Sequence, residues 1–262
     1  MIGAIAGDII GSVFERRTGR IKTTDFPLFC SRSTFTDDTV LTIASAEAIL
    51  TDRNYARAYR QFARQYPHAG YGPGFGRWFA ADDSGPYGSF GNGSAMRVSP
   101  IAWAFDSVEE VLAEAHRSAE VTHNHPEGIK GAQTVAMAVF LARNGESKDA
   151  IRSEVESRFA YDLSRSVAEI RPGYKFDSSC QGSVPEAILC FLEADNFEQA
   201  VRNAVSLGGD SDTLACIAGG IAQAFFKVVP ENIVRHVRSL LPPDLLAVLG
   251  RFEAAFPASR PQ

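Results

Sequence analysis

No run of about 18 apolar residues occurs anywhere in the 262-residue chain, so the sequence offers nothing long enough to cross a bilayer. The first eleven residues are apolar, but Asp8 interrupts them and no basic segment precedes them, which argues against a secretory signal. Cysteine is scarce. Cys30, Cys180, Cys190 and Cys216 form no C-x-x-C pair, and none has histidine at zinc-ligand spacing. Free thiols in a reducing compartment follow, and with them an expected cytoplasmic location. Basic runs are missing too. With 26 Lys and Arg against 31 Asp and Glu, the net charge is -5, which disfavours a general nucleic-acid-binding face. An anionic small ligand stays open, because bound cations can reverse the local field. Strand-like alternation is also absent.

Helical periodicity fills the place of what is lacking. It predicts helices over residues 40–50, 55–66, 108–119, 131–143, 184–194, 197–207, 214–226 and 233–240. Residues 131–143 are apolar almost all round, which predicts a central buried helix. Pro242 and Pro243 break the chain, and Asp244 is expected to cap a last helix to about residue 256, with 258–262 as a frayed tail. With 45% hydrophobic residues, a chain of this length can bury a sizeable core. The fold class expected is all-α: a compact multi-helix bundle forming a single domain over 1–262, with no linker and no repeat. Three irregular stretches stand out, at 15–35, 67–93 and 171–182. The second is the longest and is rich in both glycine and aromatics.

Five segments carry candidate chemistry. Thr36-Asp37-Asp38-Thr39 stands directly before an apolar helix. A capped helix start accounts for one carboxylate. Two buried neighbours repel each other and call for a cation. Asp210-Ser211-Asp212-Thr213 repeats the arrangement before a second apolar helix. Together these oxygens suit hard cations such as Mg²⁺ or Mn²⁺ rather than zinc. Two such ions close together make a two-metal site. In the third segment, 7–15, Asp8 reads equally as a satisfied polar residue, and Glu15 as a surface carboxylate beside Arg16 and Arg17; spacing does not decide. The fourth, Ser89-Phe90-Gly91-Asn92-Gly93-Ser94-Ala95-Met96-Arg97, is a glycine-rich loop entering a helix, able to present backbone N–H groups to a phosphate. The fifth is Thr122-His123-Asn124-His125, where a hydrogen-bonding role for histidine is commoner than metal ligation.

In their order along the chain, GD-I-I-GS-x-x-E, F-TDDT, GNGSAMR, TH and GGDSDT resemble the ADP-ribosylglycohydrolase family, over residues 2 to about 226. The resemblance implies an all-α orthogonal bundle with two Mg²⁺ ions, or Mn²⁺, in a cleft. It implies Thr36, Asp37, Asp38, Asp210, Asp212 and Thr213 as metal ligands, with Asp212 bridging. It implies Ser89, Phe90, Gly91, Asn92, Gly93, Ser94, Met96 and His123 as the cradle for ADP-ribose. Glu15, Asp37 and Asp212 are then the catalytic carboxylates, with Glu15 placed for acid–base work. Phe90 or Tyr87 is suited to stack on a ring. The implied substrate is an ADP-ribosylated protein, arginine-linked first, with serine-linked or O-acetyl-ADP-ribose as the alternative. A non-catalytic relative is the third reading, and the intact acidic set argues against it. The 15–35 loop departs most from the family and borders the acceptor side.

Overall fold

A computed structural model describes residues 1–15 and 19–257. Arg16, Arg17 and the tail expected at 258–262 lie outside the described residues. Fifteen helices form among those described: α1 Ile2–Gly11, α2 Asp37–Leu50, α3 Tyr55–Gln65, α4 Pro73–Ala80, α5 Gly93–Met96, α6 Ser99–Ala104, α7 Val108–Glu120, α8 Pro126–Arg143, α9 Lys148–Phe159, α10 Val167–Ile170, α11 Cys180–Leu192, α12 Phe197–Ser206, α13 Ser211–Phe226, α14 Glu231–Leu240 and α15 Pro243–Ala255. The described residues hold no strand, and the fold is all-α.

The helix that organises the bundle is α13, which packs against α1, α8, α11 and α12. Every residue of α1 is buried. Its glycines at i, i+4 and i+8 lie on one stripe. A side-chain carbon added to Gly3, Gly7 or Gly11 would lie 2.5, 1.9 or 2.4 Å from the carbonyl oxygens of Gly219, Ala215 and Ser211. The two backbones therefore touch, antiparallel, in a fixed register. That register brings the C-terminal end of α1 beside the first turn of α13. Gly208, at φ +65°, supplies the left-handed turn that delivers the chain into α13.

Several boundaries differ from the periodicity, for local reasons. The central helix α8 starts at Pro126 rather than 131, because proline suits the first helical position and His125 accepts the Glu127 N–H. Ser179 caps α11 earlier than expected, and the helix runs on through Pro185. The long 67–93 stretch contains α4, where Pro73 opens the helix and Phe75 and Trp78 bury one face. Nothing in the apolar pattern announced α9, whose only buried residues are Ile151 and Val155. Asp244 does not cap α15. Pro242 holds that position, and the Asp244 carboxylate instead accepts hydrogen bonds from Tyr66 Oη and Gln65 Nε2, both at 2.7 Å. No helix of the described residues is long and apolar enough to cross a membrane.

Candidate active site

Three helix ends meet at the centre of the bundle. From α1, the fully buried Asp8 accepts hydrogen bonds from Thr36 N at 2.9 Å, Thr36 Oγ1 at 2.7 Å and Thr39 N at 3.0 Å, and from the Thr39 hydroxyl. Asp8 thereby fixes the start of α2 to α1. Thr36 caps α2, its hydroxyl oxygen accepting the Asp38 N–H. Asp37 and Asp38 form the first turn of α2, where the positive end of the helix favours them.

Asp38 is buried. Its Oδ2 accepts from the Thr213 hydroxyl at 3.3 Å, and its Oδ1 has no hydrogen-bond partner. Asp210 accepts from the Asn92 side-chain amide at 2.8 Å. Asp8, Asp38 and Asp212 each offer an oxygen within 4.8 Å of the others. Glu15, Asp210 and Asp212 do the same, so Asp212 belongs to both groups. Asp37 lies outside both and is partly buried, lining the adjoining cavity.

Crowding these acids out of water raises their pKa values. Burial is the largest cause throughout. It pushes Asp8 up against the pull of its Thr36 and Thr39 hydrogen bonds. Burial, then the charges of Asp8 and Asp210, lift Asp37 to about 8. Asp38 and Asp212 are held well above the carboxylate range by burial and by their acidic neighbours. Asp210 rises to about 6, restrained by Asn92. Such a cluster holds either protons or cations. The partnerless Asp38 Oδ1 and the all-oxygen donor set fit a hard divalent ion.

Above the acids lies a cavity of about 430 Å³. Ser89, Gly91, Asn92, Gly93, Met96, His123 and Phe176 line it together with the carboxylates. The loop is pinned by an antiparallel bridge between Gly91 and Ser179, with Asn92 N donating to Ser178 O and Cys180 N to Phe90 O. In extended backbone, successive side chains face opposite ways. Ser89 and Gly91 therefore face the cavity, while Phe90 turns outward against the His125 ring. Ser94 is also away from the lining, fully buried with its hydroxyl donating to Gly128 O. Tyr87, Phe75 and Phe176 line the cavity, so the aromatic surface facing it comes from these rings rather than from Phe90.

Asp8 is the residue whose part the spacing left open. Its one sequence signal is a lone carboxylate in a helix otherwise made of Ile, Ala and Gly. Arg97, fully buried and lining the same cavity, carried no signal beyond its place at the end of the glycine segment.

A helical bundle that collects carboxylates beneath a glycine-walled cavity has the make-up of an all-α hydrolase. The model of the ADP-ribosylglycohydrolase family matches residues 1–261, and the chain belongs to that family and is an enzyme of its class. Among curated proteins it is similar to the ADP-ribosylhydrolase ARH3 of Bos taurus, 28% identical over 94% of this chain and 90% of that protein. It is also similar to the ADP-ribosylarginine hydrolase Tri1 of Pseudomonas putida strain GB-1, 24% identical over 90% of this chain and 72% of that protein. Among solved structures, an ADP-ribosylglycohydrolase-related protein complex shares the fold with a TM-score of 0.73 at 24% identity, covering 97% of this chain and 96% of that one.

Proposed function

We propose that the enzyme hydrolyses the bond between the anomeric carbon of ADP-ribose and an acceptor, with Mg²⁺ held around Asp38, Asp210 and Asp212. The observation that carries this reading is Asp212, shared by both groups, beside an Asp38 oxygen that has no protein partner. Asp38, Asp210, Asp212 and Thr213 would hold the ions, with the Thr36 hydroxyl and Asp37 at the border. Mn²⁺ suits the same donors. When bound, such ions supply Lewis-acid polarisation and offset the charge of the cluster. Asp8 supports rather than ligates, since four donors already occupy its oxygens.

The remaining work falls to the chain. The 89–93 loop orients the diphosphate, and Tyr87 or Phe75 offers a ring face. Glu15, reaching the cavity from beyond the end of α1, moves the proton that bond cleavage requires. Asp37 supplies a second carboxylate beside the oxocarbenium-like centre. An arginine side chain is the acceptor placed first, because Glu15 and Asp37 are among the residues lining the cavity and a guanidinium favours a carboxylate neighbour.

A panel of arginine-linked, serine-linked, O-acetyl- and nucleic-acid-linked ADP-ribose, assayed with Mg²⁺, with Mn²⁺ and with a chelator, tests the proposal. Metal-dependent release of ADP-ribose, fastest from the arginine conjugate, is expected. Release from none of the four with either metal would refute the activity, and release only from another conjugate would refute the acceptor.

A further inference from the structure

Arg97 is fully buried behind the glycine loop, its guanidinium 4.0 Å from the centre of the Tyr59 ring. Its Nε and Nη1 have no hydrogen-bond partner. Its Nη2 donates to the Ser118 carbonyl at 3.0 Å and to the Thr122 hydroxyl oxygen at 2.9 Å. The same Thr122 oxygen lies 2.7 Å from His123 Nδ1. Thr122 and His123 follow Val121, the cap residue at the end of α7, and both are buried.

The protons shared among Arg97 Nη2, Thr122 Oγ1 and His123 Nδ1 have one arrangement that satisfies these three groups. A guanidinium only donates. The Thr122 oxygen therefore accepts from Arg97 and keeps a single proton to give. His123 Nδ1 is the neighbour that takes it. If Nδ1 carried a proton and donated to Thr122 instead, the hydroxyl proton would be left without an acceptor in a closed pocket, which folded proteins avoid. A neutral ring that accepts at Nδ1 carries its proton at Nε2. Burial, then the Arg97 charge, hold the ring well below the usual histidine range, so it stays neutral. Nε2 points at the glycine loop: side-chain carbons added to Gly93 and Gly91 would lie 3.2 and 3.6 Å from it.

We infer that Arg97 and Thr122 are positioning residues that lock His123 as a neutral Nε2–H donor, aimed at a ligand oxygen held on the 91–93 loop. For its ligand this rests on the ADP-ribose reading, where the oxygen belongs to the diphosphate; the relay itself does not. A donor fixed in direction and charge recognises a phosphate oxygen without the cost of desolvating an imidazolium.

Nitrogen-15 NMR of the full chain, labelled in histidine and kept in Mg²⁺ at neutral pH, tests the lock. The His123 signals are assigned by their loss in His123→Asn. In the wild type, Nδ1 should be pyridine-like and Nε2 pyrrole-like. Thr122→Val should blend the two patterns and weaken ADP-ribose binding roughly tenfold. Thr122→Ser should restore both. A pyrrole-like Nδ1 in the wild type, or an unchanged pattern in Thr122→Val, overturns the relay. The expected pattern without any ADP-ribose binding upholds the relay and overturns the ADP-ribose reading instead.

Discussion

Asn92 gives its side-chain amide to the Asp210 carboxylate at 2.8 Å, joining the glycine loop to the acidic start of α13. Asn92, expected to touch the ligand, lines the cavity and also braces the carboxylate floor. Asn92→Ala should remove the donor from a buried carboxylate, at a cost of roughly 1–3 kcal/mol. Calorimetry should find weaker Mg²⁺ binding in this variant even without ADP-ribose. A loss confined to ADP-ribose affinity would instead return the amide to the ligand.

Asp212 is the carboxylate common to both acidic groups. Asp212→Ala should reduce Mg²⁺ affinity more than Asp38→Ala or Asp210→Ala, and turnover by more than about 100-fold. Titration calorimetry on the three variants ranks them. Equal losses would contradict the bridging role.

Glu15→Gln keeps the shape of the side chain and removes its basicity. Turnover should fall by roughly 10²–10⁴-fold while Mg²⁺ and ADP-ribose affinities stay close to wild type. Full activity in this variant, with its metals bound, would make Glu15 a bystander.

The raised carboxylates give the metal-free protein an inverted pH response. Each binds its proton more tightly folded than unfolded, where aspartate titrates near 3.8. Their contribution to stability is complete below that value. It is lost as pH climbs through about 6 for Asp210 and about 8 for Asp37. Mg²⁺ takes the place of the protons, so it should raise Tm more at about pH 8 than at about pH 5. Thermal scans at both pH values, with and without a chelator, check the sign. A Mg²⁺ effect larger in acid would contradict it.

Gly7→Ala adds a carbon where the Ala215 carbonyl oxygen stands 1.9 Å away. The variant should lose roughly 1–3 kcal/mol of stability and much of its Mg²⁺ affinity, because α1 and α13 must part. Gly250→Ala, where a side chain meets open space, is the control and should keep its Mg²⁺ affinity. Wild-type stability in Gly7→Ala, measured by urea unfolding, would refute the close contact.

The sequence was informative wherever one residue type does two jobs. Asp37, Asp38, Asp210 and Asp212 each mark a helix start and bring more charge than a cap needs, so fold and site were visible together. Asp8 was ambiguous because periodicity reports that a position is buried but not what it faces. Its partners, Thr36 and Thr39, are supplied by another helix. The outward turn of Phe90 depends on the bridge to Ser179, a pairing that no local pattern contains. The α9 helix was overlooked because its stability comes from a Ser147 cap and two buried residues rather than an apolar stripe. Asp244 shows the converse: a residue type favoured at caps was drawn to Tyr66 and Gln65 from a distant helix end.

The contact between α1 and α13 also sets the moment at which the cavity comes into being. On the ribosome α1 is made first, and the surface that covers it is made only once Ser211, Ala215 and Gly219 have followed. Until then the Gly3, Gly7 and Gly11 stripe lacks its partner helix, and a growing chain in that condition is open to chaperones and to aggregation. Asp212 arrives on that same late segment, so a half-made chain lacks the carboxylate common to both groups. On the proposed metal reading, cation loading would be a closing event of biogenesis, dependent on the early and late parts of the polypeptide having met.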